Sequence, residues 1–515
     1  MTSKSPRVAP LPAAERPHHS AVDRWFGVSR RHSTVAAEVR GGLVTFFTMA
    51  YIIALNPLII GTAPDKFGNL VSGLPLIDPA TGQVSGANIG ATIGMVAAAT
   101  ALIAGLMTVL MGIFGRFPLG LATGLGLNAL VAYVIAKQMS WPQAMGLIVW
   151  EGLLILVLVL TGFRAAVFRA VPKSLRTGIA LGIGLFITFV GLVDAGIVRR
   201  PFSPTAPPVE LGINGTLFGW PALVFVLGLA LLIGLYANKV KGSMLIAILG
   251  TAVFAGVLQL IVKNPPLRPD ATTVNPTGWA LNVPGLKEGV PVFSVPDLSL
   301  LGRVDMFGAF SGGPTVILGV LLTIFALLLA DFFDTMGTIV AVGSEAGVLD
   351  RNGNPPHLRE ILVVDSLAAV AGGLGSVSSN TSYIESAAGV GEGAKTGLAS
   401  VVTGAGFLVA MFLAPLVNLV PSEAAAPVLV FVGFLMMMQV GDVSWSDVEE
   451  GLPAFLTMIL MPLSYSITNG IGAGFVTYVF IKLIRGKARE VHPLLYVVAG
   501  AFVVYFVQGV ILAAL

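Results

Sequence analysis

Cysteine is absent from the 515 residues, which excludes disulfides, thiolate catalysis and cysteine-ligated metal centres together. Histidine is scarce: His18, His19, His32, His357 and His492 are all there are, in polar stretches or at the margins of apolar ones. No His-Glu-x-x-His pattern occurs, which argues against a zinc protease within the membrane. A histidine proton relay has equally little to run on. Charge is thin as well, with Asp, Glu, Lys and Arg making up 11% of the chain against about 25% in soluble globular domains. The net charge of +3 implies no nucleic-acid partner, because the basic residues flank apolar runs.

What fills the chain instead is hydrocarbon. Hydrophobic residues reach 55% and the mean hydropathy is +0.90, with many windows of the roughly 20 apolar residues that cross a bilayer. This describes an all-α polytopic membrane protein whose surroundings are lipid. Apolar spans fall at 41–61, 91–114, 121–137, 143–163, 177–194, 219–237 and 243–263. They resume at 315–342, 361–377, 384–393, 397–420, 424–441, 452–468, 471–486 and 494–514. The Arg- and Pro-rich first forty residues are too polar for a signal peptide and read as a cytoplasmic tail, with a short amphipathic piece around Val22–Val28. With that tail inside, 21 of the 29 Lys and Arg residues share its side, as topology in the plasma (inner) membrane requires. The loops 195–218 and 264–314 then lie outside.

The two halves echo each other. VPKSLRTGIALGIGLFITFVG (171–191) is matched by VPSEAAAPVLVFVGFLMMMQV (420–440), and GWPALVFVLGLALLIG (219–234) by GLPAFLTMILMPLSYS (451–466). Seven spans per repeat is an odd number, so the second repeat is inverted, an architecture of secondary transporters. The repeat also pairs two spans too short to cross: RFPLGLATGLGLNALVAY (116–133) and SSNTSYIESAAGVG (378–391). Irregular backbone at membrane depth is tolerated only where protein or a water-filled cavity satisfies it. Two such breaks in corresponding places point to a shared site at the midplane.

Carboxylates stand where hydrocarbon is expected. Asp331, Asp334 and Thr335 lie in LLLADFFDTMGTIVAVG (327–343), and their spacing of three and four shares a helix face. Glu385 lies in YIES. An acid at a helix centre costs about 2.5–3.5 kcal/mol on insertion scales, so it faces a bundle interior and has work there. Either these acids handle ligand and protons, or they cap broken helices and pair with one another. A half-helix start offers Glu385 free N–H groups, whereas Asp331 has only Asp334 beside it. One acid held charged near another that takes up a proton couples proton uptake to binding. Gly126 allows close approach to the backbone or serves helix packing, and Asn128 binds ligand or caps the half-helix. Glu151, Asp365 and Glu38 take the plainer reading of interior pairs or helix-end partners. Thr45, Thr48 and Asn56 line the back of the site or bond to neighbouring helices.

The segments ADFFDTMGT (330–338), TSYIESAAG (381–389), GLGLNA (124–129) and FFTMAYIIALNP (46–57) resemble the signature stretches of the nucleobase–cation symporter family, in its adenine/guanine/hypoxanthine permease branch. The likeness runs in order over most of residues 40–485. It implies about fourteen transmembrane segments as two inverted seven-helix repeats, with half-helices and short extended segments in helices 3 and 10. A tail (1–40) would precede core parts 41–163 and 315–420 and gate parts 164–263 and 421–486. An outer loop (264–314) and a C-terminal apolar segment (487–515) complete the chain. The resemblance places a purine site between helices 3, 8 and 10, held by Asp331, Glu385, Asn128 and Gly126, with Thr335 close by. Proton coupling would fall to Asp331, Glu385 and Asp334, with sodium the less favoured ion. No cofactor or metal is implied, and a homodimer through the gate domain is compatible with it. Fourteen spans are complete by residue 486, so 494–514 is either a fifteenth element or a sign that 452–486 is one bent helix.

Overall fold

The computed structural model describes residues 21–161, 171–201, 208–240, 242–267, 274–280, 282–285, 293–350 and 354–514. The first twenty residues of the expected tail, and Arg164 and Arg169 of the basic stretch after the fourth span, lie outside the described residues. A short helix, α1 (Ala21–Phe26), stands in the place of the amphipathic piece.

The first span is α2 (Val35–Met49) followed by α3 (Ile52–Ile60), broken at Ala50–Tyr51. It starts six residues before the expected position 41, because Thr34 caps it by accepting from Ala37 N. The second is α4 (Gly86–Leu110), which runs on as a wider turn through Gly115. The third is short, as expected: a strand β1 (Leu121–Thr123), then α5 (Leu125–Leu130) and a wide turn to Ile135. A capping box formed by Ser140 and Gln143 starts α6 (Trp141–Leu160). Next come α7 (Lys173–Asp194), the small antiparallel pair β2 (Val198–Arg199) and β3 (Glu210–Leu211), α8 (Trp220–Ala237) and α9 (Ser243–Val262).

The second repeat follows the same order. It comprises α10 (Pro314–Glu345), α11 (Leu358–Leu374), strand β4 (Asn380–Ser382) with α12 (Ser386–Val390), and α13 (Gly397–Ala410) extended to Leu419. Then come α14 (Ser422–Met437), α15 (Val448–Leu463) and α16 (Ile467–Ile484). Pro172 and Pro421 are the residues just before α7 and α14, so the matched Val-Pro pairs mark the same helix start in both halves. The turn at Ser464–Ser466, with Tyr465 at φ 53°, separates α15 from α16. The chain therefore has two helices there and a further one, α17 (Pro493–Ala514). That helix stacks Phe502 against Phe475 of α16, ring centroids 6.5 Å apart.

Small residues decide how closely the helices approach, as they do wherever lipid removes the hydrophobic drive to associate. A Cβ on Gly105 of α4 would stand 3.0 Å from Gly404 O of α13, and one on Gly404 would stand 2.6 Å from Gly105 O. Farther along the same crossing, Gly112 and Gly397 meet backbone to backbone. On α7, Gly178 and Gly182 face α15 while Gly184 and Gly191 face α14. The outermost helix, α9, leaves Leu260 and Ile261 more than three-quarters exposed, a face suited to lipid. Near the start of α2, Arg31 donates to the carbonyls of Arg116 and Lys395, and Ser33 to that of Gly393. Glu38, which lies inside α2, accepts from Lys395 N and Thr396 N. It thus serves the start of α13, where Thr396 is the cap.

Candidate functional site

The two interrupted spans meet. Strands β1 and β4 pair antiparallel, with Leu121 opposite Ser382, Ala122 opposite Thr381 and Thr123 opposite Asn380. Backbone bonds from Gly124 N to Ser379 O and from Tyr383 N to Gly120 O, each 3.0 Å, extend the ladder at both ends. The outer edge of β1 is closed by Thr108 of α4, whose hydroxyl donates to Leu121 O at 3.0 Å and accepts from Leu121 N at 2.9 Å. Ser386 accepts from Gly120 N at 2.9 Å, and Tyr383 donates to Thr123 O at 2.5 Å. The backbone groups freed by breaking two helices are thus satisfied largely by each other, which is what non-helical chain at this depth demands.

Helix α10 crosses beside this ladder, and its polar residues face two groups of partners. Thr335 donates to Asp365 Oδ2 of α11 at 2.9 Å and lies 2.8 Å from the Thr381 hydroxyl. Ser382 donates to the other oxygen of Asp365 at 2.7 Å. Asp331 is fully buried, and neither of its oxygens has a hydrogen-bond partner within 3.5 Å among the described residues, the Thr381 side chain being the donor that acts on it from farther off. It lies within electrostatic reach of Asp365, Glu151 and Asp334. Asp334, in contrast, is solvent-accessible and is the α10 acid in electrostatic reach of Glu385. Glu385 immediately precedes α12, and its Oε1 accepts from the Tyr51 hydroxyl at 2.7 Å.

The sequence candidates therefore converge on one region, with a division of places that spacing did not give. Asp334 and Glu385 sit on the accessible side, next to Ile384, which is 45% exposed. Asp331 and Thr335 sit behind them. Asn128 is fully buried, and its amide N and O are both without partners among the described residues, as are those of Asn380. Gly126 faces α7, and a Cβ there would stand 2.5 Å from Ile183 Cγ2.

Two acids depart from their helix-end reading or sharpen it. Asp365 is in the middle of α11, buried and doubly bonded, because hydroxyls from α10 and β4 reach it. Glu151 is an interior acid, with Ser379 donating to its Oε1 at 3.4 Å. Tyr51, which lies in the 46–57 segment but was not among the candidate site residues, supplies the hydroxyl on Glu385. Asn56 bonds to Thr100 at 2.8 Å and Val377 O at 3.2 Å, so it ties helices together. No group of three or more His, Asp or Glu side chains among the described residues is arranged to hold a metal ion.

Comparison with known proteins agrees with this architecture. Residues 79–473 match the model of the permease family. The guanine/hypoxanthine permease PbuG of Bacillus subtilis is 36% identical over 472 residues, which is 91% of this chain and 96% of that protein. The adenine permease AdeP of Escherichia coli is 33% identical over 488 residues, 94% of this chain and 96% of that protein. Among solved structures, the transmembrane domain of the cyanobacterial bicarbonate transporter BicA gives a TM-score of 0.53 at 15% identity, covering 85% of this chain and 96% of that one. The murine Slc26a9 anion transporter in its inward-facing state gives 0.56 at 12% identity, covering 93% and 77%. At those identities the structures speak for the inverted-repeat fold alone. The chain belongs to the permease family, in the adenine/guanine/hypoxanthine permease branch of the nucleobase–cation symporters.

Proposed function

We propose that the protein imports purine nucleobases (adenine, guanine or hypoxanthine) together with protons. The observation that supports this reading is the ladder of β1 and β4, which joins the segment that carries the partnerless Asn128 to the one that carries Glu385, with Asp334 of α10 in electrostatic reach of Glu385. A neutral purine presents ring N–H donors alternating with nitrogen and carbonyl acceptors. Carboxylates accept the N–H groups, and an amide such as Asn128 both donates and accepts. Glu385 and Asp334 serve as the acceptors nearest the accessible side, while Asp331 and Thr335 support them from behind. Gly126 keeps α5 close to α7. Relatives named as adenine and guanine/hypoxanthine permeases over nearly the whole chain favour this substrate class.

In this reading α2–α6 and α10–α13 form a core that carries the site, and α7–α9 with α14–α16 form the gate against which it moves. Each proton entering down 100 mV supplies about 2.3 kcal/mol, enough for roughly fiftyfold accumulation before any pH term. The test is uptake of labelled adenine, hypoxanthine, guanine, xanthine and uracil by permease-deficient cells expressing the chain, with and without a protonophore. Concentrative purine uptake that the protonophore abolishes is expected. Uptake confined to uracil or xanthine, or indifferent to the protonophore, would refute it.

A further inference from the structure

We propose that Glu151 is a proton-carrying residue of this transporter, housed behind the strand crossing and apart from the base pocket. The inference rests on the transport reading above and assigns a role to an acid that lies outside every matched motif. Glu151 is the only charged residue in α6, a helix of 20 residues. It is fully buried; its Oε1 has one long bond to Ser379, and its Oε2 has no partner among the described residues.

Its neighbours make a purely structural role costly. At this level α6 and α11 touch through Gly152, where a Cβ would stand 2.7 Å from Val370 N and 3.0 Å from Ser366 O. From α11 the carboxyl meets the field of Asp365, and from α10 that of Asp331. The Gly308–Phe310 turn, also packed on α6, carries no charge. Acids in one dry space cannot all be ionised, since like charges without solvent raise the cost of each. A carboxyl group needed only to pin β4 would be as well served by an amide. Three ionisable groups sharing few donors instead form a store whose proton content changes as water reaches it from one side or the other.

The wiring to the base pocket runs along one segment. Ser379 bonds Glu151, Thr381 lies against Thr335, and Ser382 bonds Asp365. The same segment continues through Tyr383 to Glu385 on the accessible side. A base gripped by Glu385 therefore shifts the strand that sets the surroundings of Glu151. In each cycle the Glu151 carboxylate takes one proton from the outer water and, once the site faces inward, gives it to the inner water. No other bond is made or broken.

The experiment uses the full chain in proteoliposomes, comparing wild type, Glu151→Gln and Glu151→Asp. Two quantities are read: exchange of labelled hypoxanthine or adenine across the membrane at equal pH, and accumulation with proton entry under an imposed proton gradient. Glu151→Gln is expected to keep exchanging base at a rate that no longer varies with pH. Its proton-driven accumulation should fall from about fiftyfold per 100 mV to the level of simple equilibration. Glu151→Asp is expected to restore part of the accumulation. Gradient-driven accumulation by Glu151→Gln equal to wild type would overturn the proposal. So would parallel loss of exchange and accumulation in a variant that unfolds at the wild-type temperature, because Glu151 would then serve binding or shape. Wild-type protein that exchanges no purine at all would overturn the transport reading itself.

Discussion

Replacing Tyr133 by phenylalanine removes one oxygen and tests whether the two helix groups move against each other. Tyr133, in the last turn of the third span, donates to Asp194 at the end of α7 at 2.9 Å. Its ring packs near Tyr465, centroids 6.4 Å apart, and Tyr465 in turn meets Phe186 at 5.4 Å and Phe189 at 5.9 Å. Phenylalanine keeps that ring cluster and deletes the bond between the third span and α7, which belong to the proposed core and the proposed gate. A hydrogen bond to a carboxyl group is worth about 1–3 kcal/mol, so its loss shifts the closed-to-open equilibrium about 5- to 150-fold.

The chain's lack of cysteine makes the assay direct. With Ile384→Cys as the sole thiol, next to Glu385, modification by a membrane-impermeant thiol reagent added outside cells reports opening on that face. Tyr133→Phe in this background is expected to speed modification within that range, and added purine should protect the thiol. An unchanged modification rate together with unchanged uptake kinetics would show that the Tyr133–Asp194 contact does not hold the outer side shut.

Other substitutions separate packing, binding and charge. Gly112→Val drives a side chain into the backbone of Gly397. It should cost about 1–3 kcal/mol or more by overpacking, seen as a lower unfolding temperature in detergent. Asn128→Ala removes a side chain with no protein partner among the described residues. It should leave the unfolding temperature nearly unchanged while raising the KM for purine about tenfold, the loss of one hydrogen bond of about 1.4 kcal/mol. At the start of α15, the carboxylate of Glu449 meets Lys482 and Lys487 at 2.6 Å and Arg485 at 2.7 Å. Hydrogen bonds from Lys482 and then Lys487 hold its pKa down to about 2. A lowered folded-state pKa stabilises fully above the unfolded value of about 4.3 and loses that stabilisation as pH falls toward the folded one. The thermal advantage of wild type over Glu449→Gln should therefore be constant near neutrality and shrink between about pH 5 and pH 2, which denaturation scans across that range will show.

Much of this was legible because lipid imposes strict rules on sequence. The short third and tenth spans stood out, since too few apolar residues and too many small polar ones cannot cross a bilayer unaided. Val-Pro at 171–172 and 420–421 located equivalent helix starts. What the sequence concealed was lateral: which side chain meets which across the bundle. Helical spacing put Asp331, Asp334 and Thr335 on one face, yet partners from α11 and β4 divide them, so that Thr335 binds Asp365 while Asp334 faces Glu385. Asp365 looked like a helix-end acid because the start of α11 cannot be fixed to within a turn from hydropathy. Tyr51 stayed invisible for a different reason: its partner lies 334 positions away.

The three-pair ladder has a consequence for how such a chain came to be. A protein of half this length would leave the edge of one extended strand bare in the middle of hydrocarbon, where no water can satisfy it. A mate with the right direction is the corresponding strand from a copy threaded through the bilayer upside down, as β4 is to β1. Fusion of two such copies turns a chance encounter between oppositely oriented subunits into a guaranteed one, and fixes their ratio at unity.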